Sequence, residues 1–315
     1  VTEAVLFPGQ GAQFPGMGRD FAEAFPAARA VFDRADAALG FALSKTCFEG
    51  GEDVNRTDVA QPGIFTTSVA VIRVLEERGF DPASVPFAAG LSLGEYTALW
   101  CAGALGFEDG VRLVRLRGEA MQAASEAIRS GMVSLMGATE EQARAVAADG
   151  AAAGICQVAN LNAPGQVIVS GELAALDVVE AKAKDHGIRR TRRLVVAGGF
   201  HSECMRPAAV RLEAALAKVA LARPRIPFAS NVTGDLATEP EAIRRQLAEQ
   251  VCAPVLWEKS MRLALARGIR SFLEPAPGTV LAGILSKIDP EARVRACAKP
   301  EDLAVPPPAD AARPR

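Results

Sequence analysis

Val85-Pro86-Phe87-Ala88-Ala89-Gly90-Leu91-Ser92-Leu93-Gly94-Glu95-Tyr96 is an apolar run interrupted by a G-x-S-x-G pattern. Val85–Ala89 reads as a short buried strand, and a helical pattern begins just after Ser92. In a strand-to-helix elbow of this kind the serine is forced into a strained conformation at the helix N-terminus. Glycines two residues before and two after let the backbone cross closely. The helix dipole and the free N–H of Leu93 would then face an oxyanion formed on an attacked carbonyl. A glycine-rich turn with an N-capping serine would use the same letters. The flanking strand and helix favour the nucleophile.

Outward from the elbow, residues 4–7 read as a buried strand that stops at Pro8-Gly9, with helical periodicity over Arg19–Leu39 and Ile64–Arg78. Strand alternating with helix is the pattern of a parallel α/β sheet. From Met132 the pattern changes. Strand-like Met132–Gly137, helical Glu140–Ala148 and strand-like Ile155–Leu161 are followed by a turn at Asn162-Ala163-Pro164-Gly165. A strand at Gln166–Ser170, a helix at Leu173–Asp185 and a strand at Ile188–Val196 complete a β-α-β-β-α-β unit, which is ferredoxin-like. The expected fold is α/β: a large α/β-hydrolase-like domain with a parallel sheet (1–128 and 198–304), an inserted small ferredoxin-like domain (129–197) and a flexible tail (305–315). Pro227–Ser230 and Ser271–Leu273 are expected to add strands to the large domain.

The 315 residues carry 35 basic and 37 acidic side chains, a net charge of −2 that gives no electrostatic drive toward nucleic acid or membrane. One Tyr and two Trp leave few platforms for stacking bases. Six cysteines stand far apart with no C-x-x-C pair, as buried reduced thiols do, and no zinc site or other metal is expected. The N-terminal stretch lacks a basic n-region, and the least charged segment, Phe87 to Phe107, contains Glu95 and four glycines. A cytoplasmic protein without a signal peptide or membrane helix is expected.

A serine nucleophile needs a base, and the chain has two histidines. His186, in Lys184-Asp185-His186-Gly187, suits a solvated cap at a helix C-terminus. His201 follows an apolar strand and Gly198-Gly199-Phe200, where α/β folds place site residues; alone it could equally be a satisfied core histidine. The helix over Asp109–Ile128 shows Arg112, Arg115, Glu119, Gln122 and Glu126 to solvent. Arg117 instead lies among Leu113, Val114, Ala120 and Met121. A guanidinium there needs an anion, either a carboxylate from another element or that of a substrate.

These residues sit in stretches that resemble the malonyl-coenzyme A:acyl carrier protein transacylases and the related acyltransferase domains of polyketide and fatty acid synthases. The stretches are Phe7-Pro8-Gly9-Gln10-Gly11-Ala12-Gln13, Gly90 to Tyr96, Arg117-Gly118 with Met121-Gln122, and Asn160-x-Asn162-Ala163-Pro164-Gly165-Gln166. Gly199-Phe200-His201-Ser202 and Ser230-Asn231-Val232-Thr233-Gly234 complete a match that runs from about Leu6 to Ile288. The resemblance implies a malonyl ester on Ser92, His201 as base and then acid, and a backbone carbonyl at Gln250 orienting the imidazole. It implies an oxyanion hole from the N–H groups of Gln10 and Leu93, and Arg117 clamping the malonyl carboxylate. Met121, Asn160, Asn162 and Gln166 would line the substrate cleft, and Phe200 would favour malonyl over methylmalonyl. The implied partners are malonyl-CoA and an acyl carrier protein, with no further cofactor, in fatty acid or polyketide synthesis; a monomer is expected.

Two positions depart from the family pattern. Leu91 stands where histidine is frequent, and Ala276 replaces a glycine in Glu274-Pro275-Ala276-Pro277-Gly278, which puts that turn in question. A serine esterase or lipase is the competing reading and would need an acid such as Asp149, Asp177 or Asp185 behind His201. A non-catalytic carrier-binding domain is a second, disfavoured by the intact Ser92, His201 and Arg117. Arg189, Arg190, Arg192 and Arg193 form a basic cluster on one strand of the small domain, either a charged edge that resists aggregation or a surface for an acidic carrier.

Overall fold

The computed structural model describes residues 3–304; the tail assigned to 305–315 lies outside them. The chain begins with β1 (Ala4–Phe7), α1 (Arg19–Ala24), α2 (Pro26–Leu39), α3 (Leu43–Glu49) and α4 (Thr57–Glu76). The elbow region follows as β2 (Ala88–Gly90) and α5 (Gly94–Cys101), then the long α6 (Phe107–Ala127). A second group comprises β3 (Ser130–Met136), α7 (Glu140–Gly150), β4 (Cys156–Ala163), β5 (Gln166–Glu172), α8 (Leu173–Lys182) and β6 (Arg190–Arg193). The chain ends with α9 (Arg206–Leu216), α10 (Pro240–Glu249), α11 (Trp257–Ala266), β7 (Ser271–Pro275), α12 (Val280–Ile288) and β8 (Arg293–Cys297).

The first sheet has the order β2-β1-β7-β8 and is parallel throughout. Its central strand, Ala4-Val5-Leu6-Phe7, is buried on both faces, as a strand covered by helices on each side must be. Beside β2, Phe228 makes one parallel bridge to Ala88, whose N–H donates to Pro227 O at 2.8 Å. The expected strand at Pro227–Ser230 is therefore reduced to isolated bridges, this one and an antiparallel one from Ala229 to Leu236. The fourth strand of this sheet is instead β8, at its edge.

The second sheet is antiparallel, in the order β4-β5-β3-β6. Val133, Leu135, Val158, Val167 and Val169 on one face pack against Ala143, Val146, Leu176 and Val179 of α7 and α8. The last strand is shorter than the expected Ile188–Val196: pairing ends near Arg193, and Val195 is fully exposed. The two sheets are joined where β4 meets the segment before α11. Leu161 N–H donates to Val255 O, and Val255 N–H donates to Ala159 O, each at 2.9 Å.

Two helical stretches differ from the sequence pattern for reasons of proline chemistry. The periodicity over Arg19–Leu39 is split at Phe25, whose extended conformation (φ −133°, ψ 120°) is what a residue before proline prefers. Helix α4 starts at Thr57, ahead of the expected Ile64, and carries Pro62 inside it. Pro62 has no N–H for the Asp58 carbonyl, and the Arg115 guanidinium fills that place at 2.6 Å. Gly118 lets α6 press onto the start of α4: a Cβ there would lie 2.6 Å from Thr57 O. That close crossing brings Arg117 alongside Gln61. Ala276, with no positive φ, is buried, and its N–H donates to Cys297 O at 3.1 Å, so the turn accommodates the methyl group.

Candidate active site

At the elbow Ser92 has φ 52°, one of two non-glycine residues in the left-handed region among those described. The strain is held by sterics and by one side chain. A Cβ on Gly90 would overlap the carbonyl of Gly94, so only glycine permits the crossing. Asn231 brackets the turn: its Oδ1 accepts from Ser92 N–H and its Nδ2 donates to Gly90 O, both at 2.7 Å. Ser92 Oγ lies 2.8 Å from His201 Nε2.

His201 is the other left-handed residue, at φ 58°. Its Nδ1 meets the backbone carbonyl of Gln250 at 2.7 Å, which fixes Nε2 toward the serine as the proton acceptor. Burial, and then the positive charge of Arg117, push the imidazole down to about 4, so the neutral, basic form is favoured. A small-domain residue, Gln157, braces this loop. Its amide donates to Cys252 O at 2.9 Å and His201 O at 3.4 Å, and accepts from Glu203 N–H at 3.1 Å. No acid among the described residues stands behind His201, whose Nδ1 is taken by the Gln250 carbonyl. Asp149 pairs with His186 (2.9 Å) and Asp177 with Arg193 (2.6 Å), which removes two of the three candidates for the one acid a hydrolase triad would need.

Arg117 is 1% exposed, yet no carboxylate pairs with it among the described residues. Its Nη1 donates to Gln61 Oε1 at 2.7 Å, and its Nη2 to Gln250 Oε1 at 2.9 Å and Ser92 Oγ at 3.0 Å. Of the two partners left open for it, a carboxylate of another element is not the one present among the described residues: neutral amide oxygens meet it. The guanidinium thus stands beside the nucleophile with its charge unspent, able to receive an incoming carboxylate.

The cleft at this point encloses about 740 Å³ between the two sheets. Gln10, Ser92, Arg117, Met121, Phe200 and His201 line it from one side. Asn160, Asn162 and Gln166 line it from β4 and β5. Asn162 is 5% exposed and its Oδ1 has no partner among the described residues, whereas Gln166 Oε1 accepts from Lys287 at 3.3 Å. Leu93 and Gln250 sit behind the cleft wall, both at 0% exposure. The N–H groups of Leu93 and Gln10 donate to no acceptor among the described residues. Gly9, whose absent side chain lets it abut Leu91 O, brings Gln10 against the elbow.

Sequence reasoning missed Gln61, Glu95, Gln157 and Asn231 as parts of the site. Glu95 and Asn231 lie inside the quoted motifs, which was the available signal. Gln61 and Gln157 are neutral amides with no distinctive spacing.

The basic cluster divides. Arg193 turns toward α8 and pairs with Asp177 and Glu180. Arg190 and Arg192 are exposed opposite Met136 and Ser134, on the sheet face that carries the cleft residue Met132.

The sequence profile of the acyl transferase domain matches residues 5–295. A malonyl CoA-acyl carrier protein transacylase of Bacillus subtilis is 41% identical over 302 residues, covering 95% of this chain and 94% of that protein. The crystal structure of an acyl-carrier-protein-S-malonyltransferase from Bartonella henselae superposes with a TM-score of 0.92 at 37% identity, over 96% of this chain and 98% of that one. A malonyl-transacylase solved in complex with its type II PKS acyl-carrier protein superposes with a TM-score of 0.91 at 34% identity, over 96% and 98% of the two chains. With its elbow, base and buried arginine in one cleft, the chain belongs to the acyl transferase domain family, among the malonyl CoA-acyl carrier protein transacylases.

Proposed function

We propose that this protein transfers a malonyl group from malonyl-CoA to the phosphopantetheine thiol of an acyl carrier protein, by a ping-pong route through an ester on Ser92. The observation that carries the reading is that one serine oxygen lies within reach of both a neutral imidazole (2.8 Å) and an unpaired buried guanidinium (3.0 Å). In the first half-reaction His201 Nε2 takes the Oγ proton as Oγ attacks the thioester carbonyl. The oxyanion is received by the N–H groups of Leu93 and Gln10, and CoA leaves as a thiol with the proton from His201. In the second, His201 deprotonates the carrier thiol, which attacks the ester, and the proton returns to Ser92 Oγ. Arg117 holds the malonyl carboxylate through both steps, and no step needs a metal or cofactor.

Met121 and Phe200 would bound the acyl group, while Asn160, Asn162 and Gln166 would meet the pantetheine arm from the small sheet. The chain is read as a large domain (1–128 and 198–304) with residues 129–197 inserted; two separate sheets support that division. A monomer acting in the cytoplasm is the accompanying reading, and no helix among the described residues is long and apolar enough to cross a membrane.

Intact mass measurement after mixing with malonyl-CoA tests the proposal. The expected result is one malonyl adduct on the peptide holding Ser92, absent from Ser92→Ala. An adduct of equal yield on that variant overturns it.

A further inference from the structure

Glu95, in the first turn of the helix that follows the nucleophile, is a carboxyl group at 1% exposure with no cation paired to it among the described residues. Its Oε1 accepts from the backbone N–H of Asn231 at 3.1 Å, and its Oε2 accepts from Gln250 Nε2 at 2.5 Å. The same Nε2 also donates to Ser92 O at 2.9 Å. Two acceptors therefore fix which way the Gln250 amide points, and its remaining oxygen is turned to Arg117 Nη2 at 2.9 Å. The reverse orientation would set an amide oxygen against two acceptors and an NH₂ group against a guanidinium. The Glu95 carboxyl thus stands one amide away from Arg117. Burial pushes it up to about 7, and its ionised form supports the cation without occupying the hydrogen-bonding face that a directly paired carboxylate would take.

We infer that Glu95 is a positioning residue for acyl selection: by orienting the Gln250 amide it holds Arg117 aligned and free for the substrate carboxylate. The inference rests on the malonyl-transfer reading above. Glutamine at position 95 would bring one acceptor oxygen for two donors. Either Asn231 N–H loses its partner or the Gln250 amide turns, and in the second case an NH₂ group faces Arg117.

The test is kcat/KM for loading of Ser92 from malonyl-CoA and from acetyl-CoA, in wild type and Glu95→Gln. Acetyl carries no carboxylate, so damage to folding or to the nucleophile lowers both substrates alike. The malonyl-to-acetyl ratio is expected to fall about 10- to 100-fold, chiefly through KM, the worth of one hydrogen bond to a charged group. An unchanged ratio overturns the inference, whether both rates fall together or neither falls. Gln250→Ala serves as a second variant should Glu95→Gln fail to fold: it keeps the carbonyl that holds His201, removes the relay and should show the same fall. An undiminished ratio in Gln250→Ala also overturns it. Wild type that fails to load malonyl would defeat the functional proposal itself, a result distinct from wild type that discriminates and variants that discriminate equally well.

Discussion

Replacing Gly94 by alanine should disable the enzyme without touching a reacting group. A Cβ at Gly94 would overlap the carbonyl oxygen of Phe7 and lie 2.8 Å from its carbon and 2.9 Å from Pro8 O. All three atoms are backbone, so no side chain can swing aside. Either the end of β1 or the start of α5 must move, and Leu91 N–H is tied to the same Phe7 oxygen at 3.0 Å. Overpacking of this kind costs roughly 1–3 kcal/mol, and the strained hydrogen bond adds about 1 kcal/mol. At roughly 2 °C per kcal/mol for a chain of this length, the midpoint should drop by about 4–8 °C. The catalytic effect is larger. Ser92 Oγ and His201 Nε2 stand 2.8 Å apart, and productive proton transfer tolerates little beyond ~3.2 Å. A displacement of ~1 Å exceeds that margin and should slow malonyl loading at least ~100-fold. The assay is the rate of Ser92 acylation followed by mass, alongside a thermal melt. Gly283→Ala is the control: nothing lies within 4 Å of its added methyl group, and that helix position should gain about 0.5–1 kcal/mol. A Gly94→Ala protein that loads and melts like wild type would refute the close-crossing account of the elbow.

Arg117→Ala should lower kcat/KM for malonyl-CoA by ~10²–10⁴-fold, as a broken buried charge pair of about 3–5 kcal/mol implies, while acetyl transfer holds or rises. Full malonyl activity in that variant would exclude a carboxylate clamp. Phe200→Ser should narrow the malonyl-to-methylmalonyl gap, since a methyl group in a pocket is worth ~1–3 kcal/mol; an unchanged gap would place the steric limit elsewhere. Burial and the Arg117 charge disfavour the imidazolium, so His201 stays basic as pH falls, down to about 4. The acid limb of kcat/KM for acetyl-CoA should therefore lie well below the ordinary histidine range and move upward in Arg117→Ala; a limb near 6.5 in wild type would contradict this. Reversing the charge of Arg190 and Arg192 together should raise the KM for an acidic carrier at low salt and leave loading from CoA unchanged. Equal effects on both half-reactions would count against a docking role.

The legible parts of the molecule were those whose physics is local. Four consecutive buried residues announced β1, a serine between two glycines announced the elbow, and alternating patterns announced the β-α-β-β-α-β unit. Arg117 was legible because a charge among Leu113, Val114, Ala120 and Met121 violates the helix period. Strand β8, Arg293-Val294-Arg295-Ala296-Cys297, was not, because an edge strand alternating charge with small residues looks like exposed coil. The early start of α4 was hidden by Pro62, whose missing hydrogen bond is made good by an arginine from another helix. What surrounds Arg117 was hidden for a related reason. Gln61, Glu95 and Gln250 come together only after long separations in sequence, and an amide oxygen aimed at a guanidinium leaves no periodic trace. The left-handed φ of Ser92 followed from its glycines. That of His201 did not, since it depends on hydrogen bonds made by Ser202 and Gln157.

Gln157 makes this enzyme a poor candidate for modular exchange. A chimera that takes residues 130–193 from a relative leaves Ser92, His201, Arg117 and Gln250 in their native context, and on paper it swaps only the outer wall of the cleft. It also replaces the amide that ties the loop of the base to the loop that orients it, and the β4 edge on which Val255 is seated. Recombination at the domain boundary would therefore be inherited by the base as slack. Transplants that carry glutamine at 157 and preserve the backbone pairing at Val255 should keep their turnover. Those that do not would lose it although every residue drawn in the reaction scheme is still present.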